Sequence, residues 1–313
     1  MECFLIDFKG NSFELPILIE WSFSHGLGIP CDCFEISFLY DKSMAEILEN
    51  ALRFKAVHEG ETVFFGVVDE FEISISCKGS LATVRGRGLS ALLLDNEVEA
   101  AQYFSAGLEL ILDRYVYAFG INQVKANVCP KNMALTVASG ASAYRVLEDF
   151  LWFGASAKPH FSKDGVLILG DGSGRRLAVG KDCAVSAYEM KRRRYGVISE
   201  VLVRNKVLGS VATVRNESFF EKGGRCRRVI NVPRNTRFDA MRMTGEYQIR
   251  ASEEKALAIK LFLPSLFAAF PEDIIELTDS PLGADGVYKV GESCCFGNEK
   301  EAGTLITLTK REA

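Results

Sequence analysis

The chain has 313 residues, 48% hydrophobic and 25% charged, with a formal net charge of −4. That balance describes a folded chain long enough for two or three domains with real cores, and it excludes a disordered or collagen-like polypeptide. Lys260 and Pro264 interrupt the most apolar stretch and acids punctuate "MECFLIDFKG", so neither a membrane span nor a cleaved leader is expected.

The first 88 residues read as a meander of five or six strands. Alternation places Phe34, Ile36, Phe38 and Tyr40 on one face of "FEISFLY". It does the same for Leu52, Phe54 and Ala56, and for Phe71, Ile73, Ile75 and Cys77. Turn signals at Glu59-Gly60-Glu61, Lys78-Gly79-Ser80 and the "GRG" at 86–88 separate the runs. Ser43-Met44-Ala45-Glu46 matches a capping box, which predicts a short helix over "ILENAL".

From residue 89 the period changes to that of helices. "LSALLLD" is short and helix-like. "SAGLELILDRYVYAFG" spaces Leu108, Ile111, Leu112, Tyr115 and Phe119 by three and four and ends at Gly120. "SAYRVLEDFLWFG" repeats the pattern up to Gly154. "ALTVA" reads as a strand and "HFSKDGVLILG" as a hairpin around Asp164-Gly165. After "GDGSG" at 170–174 the chain turns β-like again: "YGVISEVLV" alternating from Tyr195, "SVATVRN", a polar tip at Glu221 to Gly224, "RCRRVINV", and the closing runs "DIIELT", "DGVYKVGES" and "GTLITLTK". A helix is expected over about 252–263, capped by Ser252 and stopped by Pro264. The expected class is therefore α+β and β-rich: a first β domain at 1–88, a mixed α+β domain at 89–175, and a second β domain at 176–313.

Charge is unevenly spread. Residues 1–180 carry 15 cationic and 23 acidic side chains, residues 181–242 carry 15 and 6, and residues 243–313 carry 7 and 12. The basic segment opens on Lys191, Arg192, Arg193 and Arg194, the candidate interaction surface. Read as a strand start, it puts Arg192 and Arg194 on the face opposite Tyr195, Val197 and Val201. Such cations guard a β edge, meet an acidic protein surface, or grip nucleic acid together with Tyr195, Phe219, Phe220 and Phe238.

Catalytic signals are sparse. His25, His58 and His160 are the three histidines, and no H-E-x-x-H or G-x-S-x-G is present. Cys31-x-Cys33 with His25 leaves a metal corner one ligand short. The glycines 170, 172 and 174 lead into "RRLAVG" without a Lys-Ser/Thr, which fits a hinge between domains better than a phosphate loop. Glu148 and Asp149 belong to an amphipathic helix. Nine cysteines, an odd number without framework spacing, predict reduced thiols. No enzyme, cofactor or metal is expected.

The segment "GETVFFGVVDEFEISISCKGSLATVRGRGLSALLLDNEV" resembles the first-domain signature of baseplate hub proteins of contractile phage tails, the Mu-like and late-control-D-like family. The matching residues are Phe64 or Phe65, Gly66, Val68, Gly86, Arg87, Leu92, Leu93 and Asp95, and the later elements follow in the family's order. Where a hub often has P-G-D before its terminal strands, this chain has Pro271-Glu272-Asp273. The resemblance implies two tail-tube-like β-barrel or sandwich domains bracketing the mixed one. It also implies a non-enzymatic homotrimeric ring that joins the sixfold tail tube to a trimeric spike. The implied partners are tube, spike and other baseplate proteins, with DNA only passing through the lumen, and the location is a virion tail baseplate assembled in a bacterial cytoplasm. The competing readings are a tail-associated cell-wall hydrolase and a nucleic-acid-binding β-rich protein using residues 191–242.

Overall fold

The computed structural model describes residues 1–26, 31–77, 79–172, 174–180, 183–205, 207–232, 238–254 and 256–310. The first unit comprises β1 (Glu2–Asp7), β2 (Ser12–Glu14), β3 (Leu18–Gly26), β4 (Cys33–Leu39), α1 (Ala45–Asn50), β5 (Ala51–His58), β6 (Glu61–Ser76) and β7 (Gly79–Gly88). The alternating residues Phe34, Ile36, Phe38, Phe54 and Ala56 point inward as expected and join Phe23, Phe64 and Leu48 in one core. Phe34 and Phe54 stack at 4.2 Å between ring centroids, and Phe23 and Phe64 at 5.7 Å. Offset stacking adds to the ~1.5–3 kcal/mol that burying each ring contributes. Leu52 and Ile75, expected on the same faces, are 48% and 69% exposed: Leu52 is the residue skipped where the β1–β5 register shifts between Arg53 and Ala51, and Ile75 lies near the tip of the β6–β7 ribbon.

Two local expectations change. The "GRG" at 86–88 is not a turn but the end of β7, paired with β4 and β6. A Cβ on Gly86 would sit 2.0 Å from the Val67 carbonyl oxygen and 2.6 Å from the Phe34 ring, so the glycine serves close approach of backbone and aromatic ring. The helix start is capped two residues earlier than the sequence suggests. Asp41 accepts from the Ser43 backbone N–H at 2.8 Å, and a 3-10 turn at 42–44 leads into α1.

The middle unit contains α2 (Ala91–Leu94), β8 (Glu97–Val98), β9 (Ala101–Ala106), α3 (Leu108–Tyr115), β10 (Val124–Ala126), β11 (Met133–Val137), β12 (Ala141–Ser142), α4 (Ala143–Ala155), β13 (Pro159–Phe161) and β14 (Leu167–Leu169). Its core joins the apolar stripes of α3 and α4: Ile111, Leu112 and Tyr115 against Val146, Leu147, Phe150 and Leu151. Ser142 caps α4 by accepting from Arg145 N at 3.2 Å. The helix runs through Gly154 and ends with Ser156 left-handed at φ 52°. β13 and β14 form the hairpin expected around Asp164-Gly165.

The remainder comprises β15 (Arg176–Val179), β16 (Ala187–Arg192), β17 (Glu200–Asn205), β18 (Val211–Arg215), α5 (Glu217–Glu221), β19 (Arg227–Val232), α6 (Phe238–Glu254), β20 (Leu257–Leu263), β21 (Ile274–Leu277), β22 (Gly286–Gly297) and β23 (Ala302–Lys310). The helix expected over 252–263 is overturned. α6 ends at Glu254, and 257–263 is strand β20, held between β16 and β23. Ile259, Leu261 and Leu263 are fully buried at a spacing of two, the strand period, while Lys260 lies outward. The strand expected from Tyr195 begins only at Glu200, because Gly196 turns the chain at φ 89°. Arg192 and Arg194 therefore do not share a strand with Val201.

Pairing of β22 with β3 fuses the terminal strands to the first unit in one 13-stranded sheet. Two cores lie along it, the aromatic one above and an aliphatic one of Ile259, Leu261, Leu263, Ile275, Val290, Ile306 and Leu308. The fold is thus β-rich α+β, with two β units around a mixed one. Between β16 and β20 stands a further small module: β17, β18 and β19 with α6 packed on one face, around Val201, Val203, Ala212 and Met241. Tyr247 on α6 meets Trp152 on α4 with ring centroids 4.1 Å apart.

Candidate functional site

The three units meet around a cavity of about 250 Å³, lined by residues of each, including His25, Asp32, His160, Lys163, Arg175 and Asp273. His25 comes from β3, which buries alternate residues. Its Nε2 donates to the Val63 carbonyl at 3.0 Å and its Nδ1 lies 3.0 Å from Asp32 Oδ2. Both ring nitrogens are engaged and the ring packs beside Phe64 and Phe270, so His25 fastens the core instead of offering a free base.

Opposite lies a second fastening. Asp273, 5% exposed, accepts from Arg175 N at 2.8 Å, from Phe270 N at 3.0 Å and from Arg175 Nη2 at 2.9 Å. Lys163 of the middle unit donates to Glu61 of the first at 2.8 Å, and Lys163 and Arg175 both stand over the Phe270 ring. These bonds hold Glu61 well ionised, its carboxyl shifted below the usual range by the Lys163 hydrogen bond. The glycine run passes here too. A Cβ on Gly174 would meet the Glu272 carbonyl oxygen at 1.9 Å, so the run is a close-packed crossing. Glu272 itself adopts φ 78°, a left-handed conformation that glycine favours, and its carboxylate pairs with Lys289 at 2.8 Å.

His160 is the exception in this joint. Its Nε2 is buried with no hydrogen-bond partner among the described residues, and burial pushes its pKa down, against the opposing pull of Glu272. Glu148 and Asp149 both bond Arg145 on their own helix. Cys31 donates weakly to the Gly88 carbonyl, and burial pushes its thiol pKa up. Among the described residues no group of three or more His, Cys, Asp or Glu is placed to hold a metal ion. Among them, too, no helix is long and apolar enough to cross a membrane.

The signature residues gather where the first unit meets the middle one. Arg87 forks between two acids: Nε and Nη2 reach Asp69 at 2.7 and 2.9 Å, and Nη1 and Nη2 reach Asp95 at 3.0 and 2.6 Å. The fork ties β7 to the residue that ends α2 and holds the Asp95 carboxyl below its usual range. Gly66 pairs with Gly88, Val68 pairs with Gly86, and Phe65 packs with Val67, Leu89 and Ala91. A Cβ on Gly66 would meet the Arg87 carbonyl oxygen at 2.1 Å.

The basic run lies elsewhere. Lys191 and Arg192 end β16, Arg193 donates its backbone N–H to Ala256, and Tyr195 is 93% exposed. What the sequence reading missed is Glu200, 4% exposed, bonded by Arg215 at 2.8 Å and by Arg227. Its one signal is an acid amid the apolar run "VISEVLV".

No family model matches the sequence, and no curated protein matches it. Solved structures do share the fold. The tail protein from Neisseria meningitidis MC58 superposes with a TM-score of 0.78 at 14% identity, covering 98% of this chain and 96% of that one. The 43 kDa tail protein of prophage MuSo2 from Shewanella oneidensis gives 0.75 at 16%, covering 99% and 98%. An E. coli component of the type VI secretion system, described as structurally similar to T4 bacteriophage tail proteins gp27 and gp5, gives 0.58 at 11%, covering 95% and 74%. The fold of this chain is that of phage tail proteins.

Proposed function

We propose that this chain is a non-enzymatic structural component of a phage tail or phage-tail-like particle, and that within it the chain is the baseplate hub. The observation that supports this best is the end-to-end match with two tail proteins, each superposing over at least 96% of both chains. The architecture favours an adapter. Two β units lie along one sheet, so three subunits would offer six comparable units to a sixfold tube and three copies of the remainder to a trimeric spike. The ionic groups around the central cavity bond one another across units and serve rigidity, which a ring subunit under load requires. Expected partners are a second and third copy, tube protein, spike protein and other baseplate proteins, with the particle's baseplate as location.

Native mass spectrometry and negative-stain imaging of the purified chain, alone and co-expressed with tube and spike proteins, test the reading. Rings of three subunits are expected. A chain that remains monomeric at tens of micromolar and captures neither protein overturns it, and a lytic band in cell-wall zymography replaces it with the hydrolase reading.

A further inference from the structure

The small module between β16 and β20 covers only one face of its sheet. α6 lies against the side carrying Val201, Val203 and Ala212. On the other side Leu202 is partly buried, and Val211 and Val229 are 47% and 51% exposed. Val207 and Leu208, each 62% exposed, stand at the turn between β17 and β18. Arg204, Arg215 and Arg227 border this side of the sheet.

Glu200 orders this border. It stands opposite both Arg215 and Arg227 in the sheet register. Its Oε1 accepts from Nε of Arg215 and its Oε2 from Nε of Arg227. Because the carboxylate takes Nε from each guanidinium, no hydrogen bond within the described residues engages their Nη groups. Both side chains stay substantially exposed, at 48% and 64%. A buried anion thus holds two exposed arginines in place, and Arg215 also stands over the Phe220 ring at 5.3 Å. Fixing them beforehand lowers the ordering cost when a carboxylate arrives.

We infer that this open face is a docking surface for acidic protein, and that its occupant is a second copy of this chain. An apolar centre bordered by ordered arginines is the anatomy of a protein interface. A single-stranded nucleic-acid platform needs stacking aromatics on the face; none of the outward residues of β17, β18 and β19 is aromatic, and the neighbouring ring of Phe220 is already engaged by Arg215 and Arg225. Charge identifies the occupant: residues 181–242 carry 15 cations to 6 acids, whereas residues 1–180 carry 15 to 23. A basic face meeting the acidic flank of the next copy is a head-to-tail contact, the kind that closes into rings. The inference rests on the ring reading above and adds the surface that makes it, which is the β17–β19 face and not Lys191–Arg194.

The test is sedimentation velocity of the full chain at increasing sodium chloride, comparing wild type with Arg204→Glu/Val229→Glu. Both side chains are exposed, and among the described residues neither makes an ion pair. The double variant should dissociate the oligomer at least about tenfold more readily, with circular dichroism unchanged, while Lys191→Glu/Arg192→Glu should not. If the first pair fails to fold, Arg204→Gln/Val211→Ser probes the same face and should weaken assembly in the same direction. An oligomer indifferent to the face variants overturns this inference and leaves the hub reading standing. A wild-type chain that never self-associates overturns both. Binding of a labelled DNA duplex that the face variants abolish, with self-assembly intact, overturns it in favour of nucleic acid.

Discussion

The first β unit and the small inserted module spend the same materials in opposite ways. In the first, phenylalanines 23, 34, 54 and 64 pack ring on ring, Arg85 is forked between acids of the neighbouring strands, and Arg87 between Asp69 of β6 and Asp95 at the end of α2. In the second, the core of Ile198, Val201, Val203, Ala212, Val232, Met241 and Ile249 has no aromatic, and one whole sheet face stays open under arginines. The contrast separates scaffold from contact surface. The first unit uses its rings and its paired arginines internally and keeps a surplus of acids to offer a partner, whereas the module, with its thinner core, offers exposed arginines around an open face.

The largest expected effect probes the two cores. Phe64→Ala removes a ring in contact with Phe23, Phe34, Phe54 and His25, and should cost about 3–5 kcal/mol. Because the 13-stranded sheet is continuous, the loss should appear in the global urea midpoint. Met241→Ala should cost about 2–4 kcal/mol at its own site but raise amide exchange only within residues 198–254. Equal, global losses from both substitutions would abolish the distinction between scaffold and module.

Much of the scaffold was legible because its order is local. The alternation at Phe34, Ile36 and Phe38, the stripes of α3 and α4, and the Asp164-Gly165 hairpin each follow from a period or a turn residue within a few positions. Residues 257–263 were misread as helix because "KALAIKLFL" is apolar at both two- and four-residue spacings, and Ser252 looks like a cap. In the structure the Ser252 hydroxyl instead accepts from Ile198 N and donates to Ile249 O, inside the last turn of α6. Pairing of β3 with β22 joins segments some 270 positions apart, which no local pattern encodes. The same holds for the central joint: Glu61, Lys163, Arg175 and Asp273 come from distant stretches and carry no common motif. The basic segment was visible as composition. Glu200, which decides where its arginines point, was one acid in an apolar run.

A smaller effect tests whether the joint is strained where it holds the β units together. Glu272 occupies the left-handed region at φ 78°, where a side chain costs about 1–2 kcal/mol relative to glycine. Replacing it also removes the Lys289 pair, so a single substitution confounds the two. Comparing Glu272→Gly with Glu272→Ala cancels the lost pair. The glycine variant should be the more stable by about 1 kcal/mol in chemical denaturation, after the greater freedom of glycine in the unfolded chain takes its share. An alanine variant equal to the glycine one would remove the strain from this account.

The smallest effect is carried by a single proton. Burial holds His160 neutral, with its pKa below the ordinary value of 6.5. It faces Glu272 on the segment before β21, Lys289 on β22, Asp171 on the glycine run and Asp32 of the first unit. At neutral and higher pH both folded and unfolded chains keep the ring uncharged, and nothing is lost. As pH falls below about 6.5 the unfolded chain takes up the proton first, so stability declines through the window between that value and the lower folded one, then levels off. His160→Gln removes this contribution and leaves those of the other titrating groups in place. The expected result is therefore a difference between wild type and variant that grows from pH 7 to pH 5 in urea midpoint. It should be matched by faster exchange at β13 and in the segment before β21 in the wild type alone, and not in the inserted module. Parallel pH profiles for the two proteins would mean that the joint does not sense this proton at all.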